Sequence, residues 1–489
     1  MTKRARPIRR SCMVAARRRN RDSAAVRYQT IRLTSLTGFH PPTITPPARP
    51  LGTLRGLAAV VRNPLELWSE DIYDARLSVM RLPGQKFITV TDPELAKTVL
   101  LDDAGSYIKS RFVNRLLKPA MGNGLLTAEG ASWRAQRRAA SPVFRHEKIA
   151  ALAPAMAAVG EAVAGRLAGL APGSRVDVMH ELVAGTLDII VEALFGDPGE
   201  VYDRDAISRD VTTYFDTHGN LDLLDYFGFP EWFPRPRHRG NAAIGRLRQA
   251  ARDVIAAPRD FGEERPDLAG LLTLARDPET GAQLGTEEIV DNILTFIGAG
   301  HETTALAVTW ALFILSHQPA LQEALAREAR DACGDAPVTA DDVDRLDLTN
   351  RVLQETMRLY PPAAAIGRSA IAETQLDGMA VGKDDHVTVA VYVMHRHRGH
   401  WRDPGLFDPD RFLEENTKAR HRFAYMPFGG GGRICIGMKF ALMEATILLA
   451  ALMRKVRFAP DPAHRIYPQF SITLRPKGGM PLFVEPAAR

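Results

Sequence analysis

The segment Phe428–Gly437, FGGGGRICIG, places one cysteine, Cys435, at the mouth of a helix-periodic apolar stretch from Met438 to Val456. A cysteine at a helix N-terminus meets unpaired backbone N–H groups and the positive end of the helix dipole, and both favour a thiolate. Arg433 adds positive charge nearby, so the sulfur is prepared to bind iron. Four consecutive glycines let the backbone pass close to a flat ligand without Cβ clashes, and Phe428 offers an aromatic face beside it. Rival chemistries fail on spacing. Met438 separates Gly437 from Lys439, which breaks the phosphate-binding pattern, and no GxGxxG threads the run. Zinc would need partner ligands that are absent locally.

Three further constellations precede this loop. Glu355 and Arg358 stand at i and i+3 on one face of a helix that stops before Pro361-Pro362. On a surface such a pair is worth little. Glu287 to Leu315 reads as one long helix with Thr286 as N-cap, acids in its first turn and an apolar circumference, so it should be buried. Its centre, Gly298-Ala299-Gly300-His301-Glu302-Thr303-Thr304, is anomalous: two glycines, each costing about 1 kcal/mol relative to Ala, sit among polar groups. Ala299 and Thr303 share a face, and the Thr303 hydroxyl can bond the carbonyl near Ala299 and open the helix. Glu302, about 100° round, is expected to point toward water, and His301 reads as a polar-face residue. Earlier, Trp133 and Arg137 lie at i and i+4 on one helix.

In this order and spacing the motifs, written FxxGxxxCxG, ExxR, AGx(D/E)T and WxxxR, resemble those of the cytochrome P450 family from roughly Pro50 to the C-terminus. The resemblance implies a mainly α fold with a minor β region, enclosing haem b (iron protoporphyrin IX) between the cysteine loop and the long central helix. It makes Cys435 the axial thiolate and sole metal ligand from the protein, with Phe428 and Ala299 beside the haem. Arg433, Trp133 and Arg137 would hold the propionates, with Arg368 toward the second one. Glu355 and Arg358 would form a buried structural ion pair joined by Arg411 of Phe407–Phe412. Glu302 would relay protons and Thr303 organise them around dioxygen. Phe112–Leu126, Phe296, Ala299, Ala363–Ile366 and Ile472 would line the substrate pocket.

The activity implied is insertion of one oxygen atom from O2 into a C–H or C=C bond of a hydrophobic compound such as a fatty acid or terpenoid. The motif style is closer to long-chain fatty-acid hydroxylases than to the shorter bacterial camphor type, within a soluble bacterial-type group. Too little chain follows Cys435 for a fused flavin reductase, so NAD(P)H-derived electrons are expected from a separate ferredoxin or flavodoxin with its reductase. The alternatives are a haem-thiolate peroxygenase or isomerase, and a non-enzymatic haem sensor or carrier.

The elements needed to position these residues are legible in outline. Lys86–Thr91 reads as a strand, and Asp92-Pro93 opens a helix through about Leu101. Trp133–Phe195 and Asn241–Ala275 are helix-periodic, and β segments return at Thr388–Val393, Phe470–Leu474 and Pro481–Val484. The Pro-rich entry is extended, with folded structure expected from near Pro50. No linker divides the chain, so residues 41–489 read as one catalytic domain behind a basic, disordered extension at 1–40.

Composition agrees with a packed protein, 45% hydrophobic and 25% charged. The net charge of +6 is misleading: through Arg32 eleven Lys or Arg stand against Asp22, which leaves the rest of the chain at −4. A nucleic-acid partner is therefore not expected. The tail has neither the apolar centre of a secretory signal nor a bilayer-spanning stretch, so no transmembrane anchor is expected. It is read as a solvated extension or an over-called start, with an organelle-targeting peptide as the alternative to a cytoplasmic protein. Cys12, Cys333 and Cys435 are too few and scattered for a disulfide framework, which implies a reducing compartment.

Overall fold

In the computed structural model, residues 38–487 are described apart from 83–84, 197–202, 219–239 and 258–266; the basic extension lies almost wholly outside them. The helices that build the site are α1 (Arg111–Met121), α2 (Gly130–Ala140), α3 (Ala153–Ala168), α4 (Val178–Phe195), α5 (Arg204–His218), α6 (Asn241–Ala256), α7 (Thr286–Ser316), α8 (Pro319–Cys333), α9 (Asp347–Leu359) and α10 (Met438–Lys455). Helix α7 is the axis of the core. Its apolar circumference is met by α4 on one side and by α9 and α10 on others, and Ile293, Leu306, Val308, Trp310 and Ile314 are fully enclosed. Each such side chain contributes on the order of 1.5–3 kcal/mol by leaving water.

The N-cap of α7 is Gly285 and not Thr286; the Glu288 carboxylate accepts from the Gly285 N–H at 2.9 Å, a capping interaction that needs no N-cap side chain. The apolar stretch His146–Ala168 has the length and composition of a membrane span. Here it is interrupted at Ala151–Leu152, and α3 packs on α4 and α10.

The β part is small. Its strands are β1 (Leu77–Leu82), β2 (Gln85–Val90), β3 (Tyr107–Lys109), β4 (Ser174–Asp177), β5 (Ile366–Ala370), β6 (Thr374–Leu376), β7 (Met379–Val381), β8 (His386–Val389), β9 (Val456–Pro460), β10 (Pro468–Phe470), β11 (Leu474–Pro476) and β12 (Pro481–Pro486). One sheet runs β1-β2-β8-β5-β3, another β4-β12-β9, and β6-β7 and β10-β11 are hairpins. Under the first sheet, Ile88, Val90, Val387 and Val389 form a second core with Phe423 and Met426, which lead into the cysteine loop. The sheet thus fixes the approach to Cys435.

Three further expectations change. The segment Thr388–Val393 is strand only to Val389; Val391–Met394 is a helical turn, and both halves are buried, so burial periodicity could not separate them. Phe470–Leu474 is not a strand but a turn, Ser471–Thr473, between β10 and β11, and it carries Ile472. Ordered packing starts before Pro50: Phe39 stacks on His317 at 4.9 Å and accepts from the Phe407 N–H at 3.0 Å, while the Tyr360 hydroxyl donates to the Pro42 carbonyl at 2.5 Å.

Candidate functional site

The cysteine loop is folded by its own backbone before α10 begins. Cys435 N–H donates to the Phe428 carbonyl at 2.9 Å and Ile434 N–H to that of Gly431 at 3.2 Å. Cys435 is solvent-accessible although protein atoms crowd round it, so its thiol is open to a ligand. Burial raises the thiol pKa, opposed by the Gly437 N–H and by Arg137. That corrects one expectation: the cation acting on the sulfur is Arg137, and Arg433 is engaged elsewhere.

The glycines also do something other than expected. Gly431 has φ +69°, and a Cβ there would collide with the Leu100 carbonyl oxygen; a Cβ on Gly430 would stand 2.7 Å from the Phe423 ring. Their need is for close approach of the loop to its protein neighbours. Gly431→Ala is therefore expected to cost at least about 1–2 kcal/mol from its backbone conformation alone, with the clash added. Lowered haem content and an earlier denaturant midpoint would show it; an unchanged midpoint would contradict this packing.

Beside the loop, cations gather from four elements. Arg433 stacks on Trp133 of α2, 4.3 Å from the ring centroid, donates to the Ala128 carbonyl at 3.0 Å and pairs with Glu129. Arg137 follows Trp133 on α2, and Lys109 of β3 stands opposite Arg368 of β5 in the sheet register. Burial lowers Lys109 to about 7, with Arg433 and Arg368 adding repulsion and Glu129 opposing. Burial, then Arg433, lowers Arg368 to about 10. Of these four half-buried cations, Lys109, Arg368 and Arg433 share Glu129 while Arg137 faces the sulfur, an imbalance suited to a ligand with two carboxylates. The group fits these residues. Lys109 and Glu129 escaped the sequence reading because neither lies in a motif; the signal was a Lys on the inward face of a strand, two residues from buried Tyr107.

On α7, the Thr303 hydroxyl donates to the Ala299 carbonyl at 2.8 Å, as the spacing predicts. Ala299 is exposed and Thr303 half-buried at the centre of a largely buried helix, so this face is open there. Gly300 has a packing reason, since a Cβ there would stand 3.4 Å from Ile190 of α4. Glu302 does not point to water. It is 3% exposed and paired with Arg475 of β11, a partner the sequence reading missed. His301 is not on a polar face either: it is buried, its Nδ1 bonds the Ile297 carbonyl at 2.8 Å, and burial lowers its pKa.

Below the loop, Glu355 and Arg358 are completely enclosed and joined at 2.6 and 2.7 Å. Arg358 also donates to the carbonyls of His395, Pro404 and Leu406 at 2.8–2.9 Å. Arg411 Nε lies 3.5 Å from Glu355, so the third member is in place. His395 returns a bond to the Arg358 carbonyl at 3.2 Å and its Nε2 accepts from the Met426 N–H at 2.9 Å. The ion pair is thereby tied to the chain just before Phe428.

A small, partly open apolar cavity is lined by Ala120, Met121, Val211, Leu247, Leu294 and Ile297, among others. Of the expected pocket residues, Ala120 and Met121 line it, Ala363 is exposed, and Ile366 lies against Gly429 of the loop. Phe296 instead packs edge-on against Phe144 at 5.1 Å, leaving the cavity wall to Leu294 and Ile297.

The sequence matches the family described as Cytochrome P450 over residues 75–483. It is 33% identical to cyclooctatin synthase of Streptomyces melanosporofaciens, covering 89% of this chain and 94% of that one. It is 30% identical to cyclooctat-9-en-7-ol 5-monooxygenase of the same organism, covering 85% and 92%. The crystal structure of the cytochrome P450DA heme domain superposes with a TM-score of 0.74 at 27% identity, covering 84% of this chain and 90% of that one. With its thiol, its cation cluster and a central helix whose Thr303 hydroxyl bonds the Ala299 carbonyl in place, the chain belongs to the cytochrome P450 family of haem monooxygenases.

Proposed function

We propose that the protein hydroxylates or epoxidises a hydrophobic small molecule, with electrons from NAD(P)H delivered by a separate ferredoxin or flavodoxin and its reductase. The observation that carries the reading is the accessible Cys435 thiol at the head of α10 with four half-buried cations gathered about its loop. Cys435 would ligate the haem iron, and Arg433, Arg137, Arg368 and Lys109, with Trp133, would hold its propionates, with Phe428 and Ala299 beside it. Bound haem supplies the iron at which O2 is reduced and one oxygen atom transferred to substrate.

The chain's own residues manage protons. Thr303, bonded to the Ala299 carbonyl, presents its hydroxyl oxygen on the open face of α7 as an acceptor for an ordered water. Glu302 carries the proton-exchanging carboxylate, held by Arg475 in the interior, so the pair must part before Glu302 can exchange with solvent. Thr303→Ala should still bind substrate and accept electrons, but yield several-fold less product and more peroxide per NAD(P)H. Glu302→Gln, which keeps the shape and cannot relay a proton, should slow the whole cycle by about 10²-fold. Unchanged coupling in the first together with unchanged turnover in the second would remove both residues from the mechanism.

The apolar cavity favours a fatty acid or terpenoid over a charged substrate, and the relative named for a 5-monooxygenase acting on cyclooctat-9-en-7-ol supports a hydrocarbon-like alcohol or olefin. A cytoplasmic setting accords with the scattered thiols. The test is a hydrophobic compound library screened for the spectral shift caused by displacing iron-bound water, then product analysis with a redox chain. Products that require NAD(P)H support the proposal. Products formed equally with peroxide alone would make it a peroxygenase, and no product from any bound compound would make it a sensor or carrier.

A further inference from the structure

Glu444 lies inside α10, the helix that follows Cys435, and is 1% exposed. Neither of its carboxyl oxygens has a partner within hydrogen-bond distance among the described residues, and the same holds for the Thr304 hydroxyl on α7, the helix packed against α10. An ionised carboxylate in that position would call for a cation beside it. None among the described residues acts on it, because the charged groups of the surrounding elements are engaged elsewhere. Glu161 of α3 holds Arg454 and Lys455, and Arg457 of β9 holds Glu323 of α8. On α9, Glu355 and Arg358 hold each other; on α7, Glu302 holds Arg475 and the His301 ring bonds its own helix. Asp342 of the short Ala340–Val343 turn pairs with Arg345, and His146, Glu147 and Lys148 are exposed.

The polar group acting on Glu444 is the Thr304 hydroxyl of α7, which is itself buried and otherwise without a partner. Burial raises the Glu444 carboxyl to about 8, with only Thr304 opposing. A protonated carboxyl can both donate and accept, as can the threonine hydroxyl, so these two orphan groups can satisfy each other only while the carboxyl keeps its proton. A carboxylate could only accept, and its charge would stand unbalanced.

We infer that Glu444 is a positioning residue: it stands as a neutral carboxylic acid and, through Thr304, ties the helix that follows the thiolate ligand to the oxygen-side turn of the central helix. Thr304 adjoins Thr303, so the tie braces from behind the turn that carries the Thr303 hydroxyl. Only its consequence for coupling rests on the proposed function above; the protonation state and the tie do not.

The test uses the haem-loaded full chain. Infrared difference spectra at neutral pH should show the carbonyl band of a protonated carboxyl that vanishes in Glu444→Gln, and in Thr304→Val the band should move to higher frequency as its hydrogen bond is lost. The stability arm follows from linkage. The folded chain keeps a proton that the unfolded chain releases near the ordinary carboxyl value of 4.5, so stability is lost as pH rises from there to about 8. Relative to Glu444→Gln, the wild-type folding constant should fall about tenfold per pH unit inside that window. Peroxide formed per NAD(P)H should rise in wild type as pH passes about 8 and stay flat in Glu444→Gln. Absence of the band with a pH-independent stability ratio would overturn the neutral acid, and an unmoved band in Thr304→Val would overturn the tie. Peroxide yields that run parallel in the two proteins would overturn the positioning role while leaving the monooxygenase reading intact.

Discussion

Arg358→Ala is expected to destabilise the fold by about 3–5 kcal/mol, because it strands the Glu355 carboxylate in a fully enclosed site. Three backbone carbonyls, of His395, Pro404 and Leu406, lose their donor in the same step. The damage should reach the cysteine loop, since His395 links Arg358 to the Met426 N–H immediately before Phe428. Haem content should therefore fall together with the denaturant midpoint. Arg358→Lys should rescue little: one ammonium cannot reproduce the two-point contact with Glu355 and reach three carbonyls at once. Full haem loading and a midpoint within experimental scatter of wild type in Arg358→Ala would show that the pair does not support the loop. Arg411→Ala should be milder, as that guanidinium is partly exposed and stands farther from Glu355.

The contrast between Arg358 and Glu302 shows what a sequence can carry. Glu355 and Arg358 find each other across one helical turn, and so do Thr303 and Ala299; contacts of that kind are set by helix geometry and were legible from spacing alone. Cys435 was legible for a related reason, because its loop and the helix behind it are one continuous segment. Glu302 is different. Helix geometry fixes its angle from Thr303 but not what lies there, and the turn of strand that brings Arg475 against it comes from the far end of the chain. Lys109 and Glu129 were missed for the same reason: Lys109 meets Arg368 through the register of β3 on β5, and Glu129 meets Arg433 of the distant cysteine loop.

The glycine run shows a subtler limit. Its conformational freedom could be read, but the sequence could not say that Leu100 and Phe423 are the groups Gly431 and Gly430 must clear. Secondary structure failed where burial is total, as at Val391–Met394, or where a turn carries a β-branched apolar residue between two short strands, as at Ile472. In both places hydrophobic periodicity carries no information about which element forms.

The central claim is that Cys435 ligates the haem iron, and the largest effect expected of any single substitution is at that sulfur. Cys333 is no competitor, since its thiol bonds the Ala329 carbonyl within α8. A neutral methyl at position 435 removes the anionic ligand that gives the iron its electron-rich character, so turnover with NAD(P)H should be lost even if haem is retained. The direct measurement is the spectrum of the reduced, CO-bound protein, recorded for wild type, Cys333→Ala and Cys435→Ala. The account predicts the red-shifted Soret band of thiolate ligation in the first two and its absence in the third; the same band persisting in Cys435→Ala would contradict it.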